Sequence, residues 1–345
     1  MPIIELGLNQ SGFFLYLYIQ SKLYNMNQEV KVKDLRKGFT GDFIPSKDYL
    51  DNMPDLQNSE FEGRYIDFVG LTNFRVPILI RERDGGTQQV LASIHGLCDV
   101  ASTRLGLNMS RIVRTFYKSK DDIFDINKLE HILKEYQKDQ HSFDTNIQIE
   151  FDYYVKQDSL VSRDDAGNKL WGYYIVHCVF DANIDKDGTF KKLLKVIWQY
   201  SSTCPCSTEL SKYANMTRGV GTTPHAQRSA MSVTVEFDDM VWIEDIIDHC
   251  RKSLVTECQA IVKREDEAEF AVANYHYTKF IEDAVRILAK QLDTDNRIKD
   301  YKLVGVHNES LHQHSVVGCL CKGIPGSIFR HHVSIPEIRE LELMN

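Results

Sequence analysis

Ile147-Gln-Ile-Glu-Phe-Asp-Tyr-Tyr-Val155 alternates apolar and polar side chains, and after Asp164 to Asn168 the chain returns through Leu170 to Phe180. The alternation puts Ile147, Ile149, Phe151, Tyr153 and Val155 on one face of a strand, and the polar run between the two segments marks a hairpin. Upstream, Val69 to Arg81 is strand-like through Phe74, Val76, Pro77, Ile78 and Ile80. Asp84-Gly85-Gly86 turns the chain, and Gln89 to Val100 pairs back. Between the two hairpins lie helical stretches at Asn108 to Lys120 and Ile126 to Gln140, the second carrying Ile126, Leu129, Ile132, Leu133 and Tyr136 at helical spacing. The order is ββααββ.

The second half repeats that order without repeating its residues. Leu193 to Tyr200 and Ser229 to Phe237 read as strands, Ile243 to Val262 and Lys279 to Leu292 as helices, and Asp300 to Val306 with His312 to Leu320 as a closing hairpin. The expected fold is α+β: two ββααββ modules, each a four-stranded antiparallel sheet with a helix pair on one face. Residues 1–55 form an N-terminal extension, 56–190 the first module and 191–345 the second. Open sheet edges predict closure into a barrel by self-association.

With 345 residues, 43% hydrophobic and 26% charged, the composition is that of an ordinary globular protein. A net charge of −8 without a basic block argues against a nucleic-acid partner. The apolar run Phe13 to Ile19 is too short to span a bilayer and no Lys or Arg precedes it, so neither a membrane nor a signal peptide is expected. The eight cysteines are irregularly spaced and form no secreted disulfide framework, which predicts a reduced, cytoplasmic protein.

Chemistry gathers in the second half. Ser201-Ser-Thr-Cys204-Pro-Cys206-Ser ends a strand, a polar loop follows to Pro224, and His225 opens the next strand. A thiol and an imidazole are thus delivered from neighbouring strand ends, and both are ligands of borderline-soft divalent metals. A C-x-C pair is more often buried strand cysteine or half of a structural zinc site. Glu267 lies in the charged link Lys263 to Glu269, and Glu282 near the start of the next helix. Glu309 and His312 bracket the last hairpin tip, where period two puts His314 on the same strand face as His312 and leaves Cys319 and Cys321 as buried sheet cysteines on the other.

Met53-Pro-Asp-Leu-Gln-Asn-Ser59, Gly106-Leu-Asn-Met-Ser-Arg111, the Cys-Pro-Cys-Ser turn, His225-Ala-Gln-Arg-Ser229, the Glu267 link and Glu309-Ser-Leu-His-Gln-His314-Ser occur together in this order. Over about residues 53–322 the chain resembles the type IB GTP cyclohydrolases, prokaryotic members of the tunnelling-fold superfamily. The resemblance implies a bimodular tunnelling fold, a homotetramer with sites at subunit interfaces, and conversion of GTP to 7,8-dihydroneopterin triphosphate and formate for folate or queuosine synthesis. It further implies Cys204, His225 and Glu267 as ligands of a divalent Zn, Mn or Fe ion, with Cys206 beside the metal. Glu282 then anchors guanine, and Glu309, His312 and His314 support the metal and move protons. Arg228 and Arg111 are the candidates for the triphosphate, since guanidinium matches phosphate geometry. Asn108 and Thr208 depart from the family's usual His and Lys.

The implied chemistry is coherent: a bound cation makes hydroxide available near neutral pH, a carboxylate accepts the two adjacent N–H groups of guanine, and imidazole moves protons in the working range. Rival readings are a cyclic-phosphate-forming enzyme of the archaeal type, separated by the phosphate content of the product, and a non-catalytic zinc module, which would need Cys319 and Cys321. A nitrile reductase of the same fold would need an NADPH motif that the chain lacks.

Overall fold

The computed structural model describes residues 46–53, 59–118, 123–329 and 332–344. The stretch 1–45, read above as most of an extension, lies outside these residues, as do Pro54 to Asn58 and the last two residues of the first helical stretch. Helix α1, Lys47–Asp51, belongs to a unit ending at Asp55, and a second unit begins at Leu56.

In the second unit the two expected four-stranded sheets are one. Strands β1 (Ile66–Arg81), β2 (Thr87–Val100), β3 (Ile123–Phe124), β4 (Thr145–Arg163), β5 (Lys169–Ile184), β6 (Phe190–Thr203), β7 (Ala226–Phe237), β8 (Ile298–His307) and β9 (Val316–Cys321) form a nine-stranded sheet in the order β3-β1-β2-β4-β5-β6-β7-β8-β9. All neighbours are antiparallel except β3, which runs parallel to β1. The halves join because β5 and β6 pair from His177↔Ile197 to Ile184↔Phe190 around a tight turn at Asp185 to Thr189.

Alternation decides which face is buried. In β4, Thr145, Ile147, Ile149, Phe151 and Tyr153 are buried while the residues between them are not. They meet α3 (Lys128–Gln140), while α2 (Met109–Lys118) packs on β1 and on α3. In the second half the same face carries Trp198, Met231, Val233 and Leu303 against α5 (Ile243–Leu254) and α7 (Ile281–Leu292), continuing one core across both halves. Each fully buried side chain of this kind contributes about 1.5–3 kcal/mol.

Three stretches differ from expectation. Pro205–Arg218 is helix α4, not loop. Proline at the first helical position loses no intrahelical bond. Extended Cys204 precedes it, and Gly219, at φ 63°, closes it in the left-handed conformation. The long helix expected over Ile243 to Val262 stops at Leu254, because Val255 (φ 62°) leaves helical space. Extended chain follows, with Ser201 N–H donating to Thr256 O at 2.7 Å, before α6 (Arg264–His276). The last strand begins at Val316, so His312 and His314 lie in the preceding turn and share no strand face. Cys319 is exposed and Cys321 half-buried, against the expectation of buried cysteines, because β9 is an edge strand.

Helix α8 (Ile335–Leu343) packs on the opposite sheet face. Its Leu341 joins Ile197, Ala230, Val304 and Val306, with ion pairs Lys195–Glu340 and Lys302–Glu337 at the rim. Ser334 and Glu337 cap it reciprocally. Among the described residues no helix is long and apolar enough to cross a membrane.

Candidate active site

The polar end of the sheet lies where β6 stops and β7 starts. The ladder runs to Thr203↔Ala226 and is extended by Cys204 N–H donating to His225 O at 3.3 Å, so the thiol and imidazole residues stand side by side. Inward on the helix face, the apolar series gives way to Ser202, Gln227, Ser229 and His307, all buried. Ser202 and Ser229 share a hydrogen bond of 2.8 Å, and Gln227 Nε2 donates to Ser202 Oγ at 2.8 Å. The same amide reaches Glu309 Oε1 at 3.3 Å.

His225 is held by this row. Its Nδ1 faces Gln227 Oε1 at 3.1 Å and Glu309 Oε2 at 3.2 Å. Both are acceptors, since the Gln227 nitrogen is already spent as a donor. Nδ1 therefore carries the proton, and Nε2 presents its lone pair. His225 N–H donates to Ser207 Oγ at 3.1 Å, tying the imidazole to the first turn of α4.

Cys206 is exposed in that first turn. Thr208 is buried, and its hydroxyl donates to Cys204 O at 3.0 Å, so it serves the turn of the helix and is not presented to a ligand. Glu267 sits in the first turn of α6, not in a link, because α6 begins at Arg264. It lines a cavity of about 440 Å³ whose wall includes Thr203 and Ala226, the neighbours of Cys204 and His225. Glu282 is the second residue of α7 and exposed. Its helix starts beside the site because Lys279 N–H donates to Thr203 O at 3.2 Å. Paired Gly305 and Gly318 seat Ile281: a Cβ on either would come within 2.6 and 2.8 Å of that side chain. His312 and His314 stack with ring centroids 4.8 Å apart at 12°.

Two expected site residues of the first half are engaged within that half. Arg111 donates to Asp139 O at 2.9 Å, bridging α2 and α3, and Asn108 accepts from Ser110 Oγ at 2.8 Å at the start of α2. Arg228 is exposed on β7, opposite Ser201. Among the described residues no three His, Cys, Asp or Glu side chains stand together as a group able to hold a metal ion. In kind the donors suit a borderline-soft divalent cation: a thiol and an imidazole on adjoining strand ends, and a carboxylate, Glu267, in a cavity lined by their sequence neighbours Thr203 and Ala226.

Two buried ionisable groups beneath the site escape the sequence reading. Lys279 donates to Tyr277 O at 2.6 Å and Thr256 Oγ1 at 3.3 Å, and burial pushes its pKa down to about 8. His307 accepts or donates a 2.8 Å hydrogen bond with the Tyr200 hydroxyl. Burial, with the Lys279 charge nearby, lowers its pKa to about 4 and keeps it neutral. The one signal that could have found His307, Ser229 and Gln227 is the change from apolar to polar residues at alternate positions of β7 and β8.

These features define an α+β protein whose polar side chains gather at one end of a continuous antiparallel sheet. Residues 53–318 match the family model described as type I GTP cyclohydrolase folE2, and the chain belongs to that family. It is 39% identical over 302 residues to GTP cyclohydrolase FolE2 of Roseobacter denitrificans, covering 85% of this chain and 80% of that protein. FolE2 of a Jannaschia species is 40% identical over 296 residues, covering 84% and 80%. Among solved structures, uricase from Arthrobacter globiformis aligns over 77% of this chain and 96% of its own, with TM-score 0.46 and 9% identity.

Proposed function

We propose that this chain is a GTP cyclohydrolase, an enzyme that hydrolyses the imidazole ring of the guanine of GTP to give 7,8-dihydroneopterin triphosphate and formate. The observation that carries the reading is the set of hydrogen bonds around His225: Gln227 and Glu309 hold the Nδ1 proton, while the His225 backbone pairs with that of Cys204.

Cys204, His225 and Glu267 would hold a divalent cation, whose identity the donor set leaves open among Zn, Mn and Fe. When bound, such a cation lowers the pKa of water and supplies hydroxide near neutral pH. Glu309 and Gln227 orient His225. Cys206, exposed in the first turn of α4 two residues after Cys204, would lie beside the bound cation. Glu282, on the exposed first turn of α7, accepts N1–H and N2–H of guanine in a fork, which excludes adenine because adenine lacks that donor pair. The stacked His312 and His314 exchange protons with the opening ring. Arg228 binds the triphosphate from the same chain.

Arg111 is far along the sheet within one chain, so its phosphate contact comes from another copy. The open edges at β3 and β9 support closure of the sheet into a barrel by self-association, most simply as a tetramer of two barrels. Within each chain, residues 56–190 and 191–345 act as the two modules.

The test is incubation of purified protein with GTP and one divalent metal at a time, reading pterin fluorescence, formate and product phosphate. Metal-dependent release of formate with a linear triphosphate retained is the expected result. No formate with any metal overturns the reading.

A further inference from the structure

The far half of the β4–β5 hairpin belongs to the first half of the chain but is built around the second. Beyond Asp158 the ladder slips, and Gln157, Ser159 and Ser162 are buried in place of the large apolar residues nearer the sheet centre. These polar groups grip the segment that leads into α6. Gln157 Oε1 accepts from Ala260 N–H at 2.7 Å, and its Nε2 donates to Cys258 O at 2.9 Å. Lys263 Nζ donates to Arg163 O at 3.0 Å.

The grip centres on Asp266, which is 0% exposed. Its Oδ1 accepts from Val161 N–H at 2.8 Å and Ser162 N–H at 3.0 Å. Its Oδ2 accepts from Lys263 N–H at 2.8 Å and from the Ser162 hydroxyl. A carboxylate at this place in a helix needs only the last backbone bond to cap it. Asp245 does so at Trp242 N–H (3.1 Å) and Asp283 at Phe280 N–H (3.2 Å). The three further bonds at Asp266 all go to the hairpin. They fix the height and rotation of the first turn of α6, and the next residue in that turn is Glu267.

We propose that Asp266 is the positioning residue for Glu267: it locks the first turn of α6 to the β4–β5 hairpin, so that the first half of the chain sets where the cation-binding carboxylate of the second half stands. This rests on the reading of Glu267 as a ligand.

Zinc affinity of the full chain, measured by competition with a chromogenic chelator, tests it alongside thermal unfolding. Asp266→Asn keeps the shape but puts an NH2 group where two donors point, and should weaken zinc about tenfold or more. Asp245→Asn removes a comparable cap from α5, which bears no site residue, and should lower Tm while leaving zinc affinity unchanged. Ser162→Ala removes one hairpin bond and leaves the cap intact. It should fold and weaken zinc about fivefold, and it decides the matter if Asp266→Asn does not fold. Glu267→Gln separates the two readings. If it binds zinc like the parent, the ligand assignment fails and the positioning role falls with it. If it weakens zinc but folded Asp266→Asn or Ser162→Ala does not, the positioning role alone is overturned.

Discussion

Replacing Lys279 by methionine should change the pH dependence of stability in a way that follows from its burial. The side chain is 5% exposed, and its ammonium meets Tyr277 O, Thr256 Oγ1 and, at 5.9 Å, the Tyr200 ring, none of which is an acid. Removal from water lowers its pKa from 10.5 to about 8. At 1.36 kcal/mol per pKa unit, that difference is about 3 kcal/mol. Between the two values the unfolded chain holds the proton and the folded chain releases it, so this group makes stability rise with pH across that window. Below the folded value both states are charged, and the burial cost is constant. The neighbours do not titrate in the same range: His307 is already neutral, and burial raises the Tyr200 hydroxyl far above its ordinary value. Urea unfolding of parent and Lys279→Met at half-unit steps from about pH 7 to pH 10.5 reads the term as a difference, in which the other tyrosines and cysteines cancel. The stability of the parent relative to the variant should climb by about 3 kcal/mol across the window. A difference flat to within about 1 kcal/mol would refute the claim that Lys279 is buried without a compensating charge.

Glu282→Gln should lower kcat/KM for GTP by about a hundredfold, because one ring donor then meets an NH2 group, while chelator competition finds zinc affinity unchanged. Equal turnover of variant and parent would remove Glu282 from guanine recognition. Gly318→Val would press a side chain against Ile281, where a Cβ alone already comes within 2.8 Å of Cγ1. It should cost about 1–3 kcal/mol in urea unfolding and raise KM for GTP by shifting the first turn of α7. Arg83→Ala loses two 2.8 Å ion pairs, to Asp245 and Asp248, but the Arg83 side chain is 42% exposed. Its cost should stay below about 1 kcal/mol in the same assay.

Much of the fold is legible from local pattern. Ile147 to Val155 alternates because one side of β4 meets helices and the other does not, and that asymmetry is written in the side chains themselves. Proline, by contrast, has two meanings. At Pro205 it reads as a stop after a strand, yet it also starts α4, and only Gly219 fourteen residues later hints at the helix between them. Val255 carries no breaker signal, so the end of α5 is set by what the following chain bonds to on β6. Asp185-Lys-Asp-Gly188 has the make-up of a hairpin turn, but the repeated element order suggests a boundary there, and nothing local says that β6 continues the same sheet. Within the site, Cys204, His225 and Glu309 are findable as unusual residues at element ends. Asp266 is not, because a common residue type becomes special only through burial and through partners distant in sequence.

The strand order has a consequence for how the chain is made. Apart from short β3, every strand lies beside the strand that precedes it in sequence, so each can pair as it is synthesised with one already in place. Closing these hairpins spans short loops, apart from the helix-bearing crossings from β2 to β4, β6 to β7 and β7 to β8. The bonds from Val161 to Asp266 and from Gln157 to Cys258 span 105 and 101 residues. Loop closure over such distances comes late, after the sheet exists to present the hairpin. A chain halted before α6 therefore has β6, α4 and β7 in place but lacks Glu267 together with α7, β8 and β9, the elements that carry Glu282 and lead to Glu309.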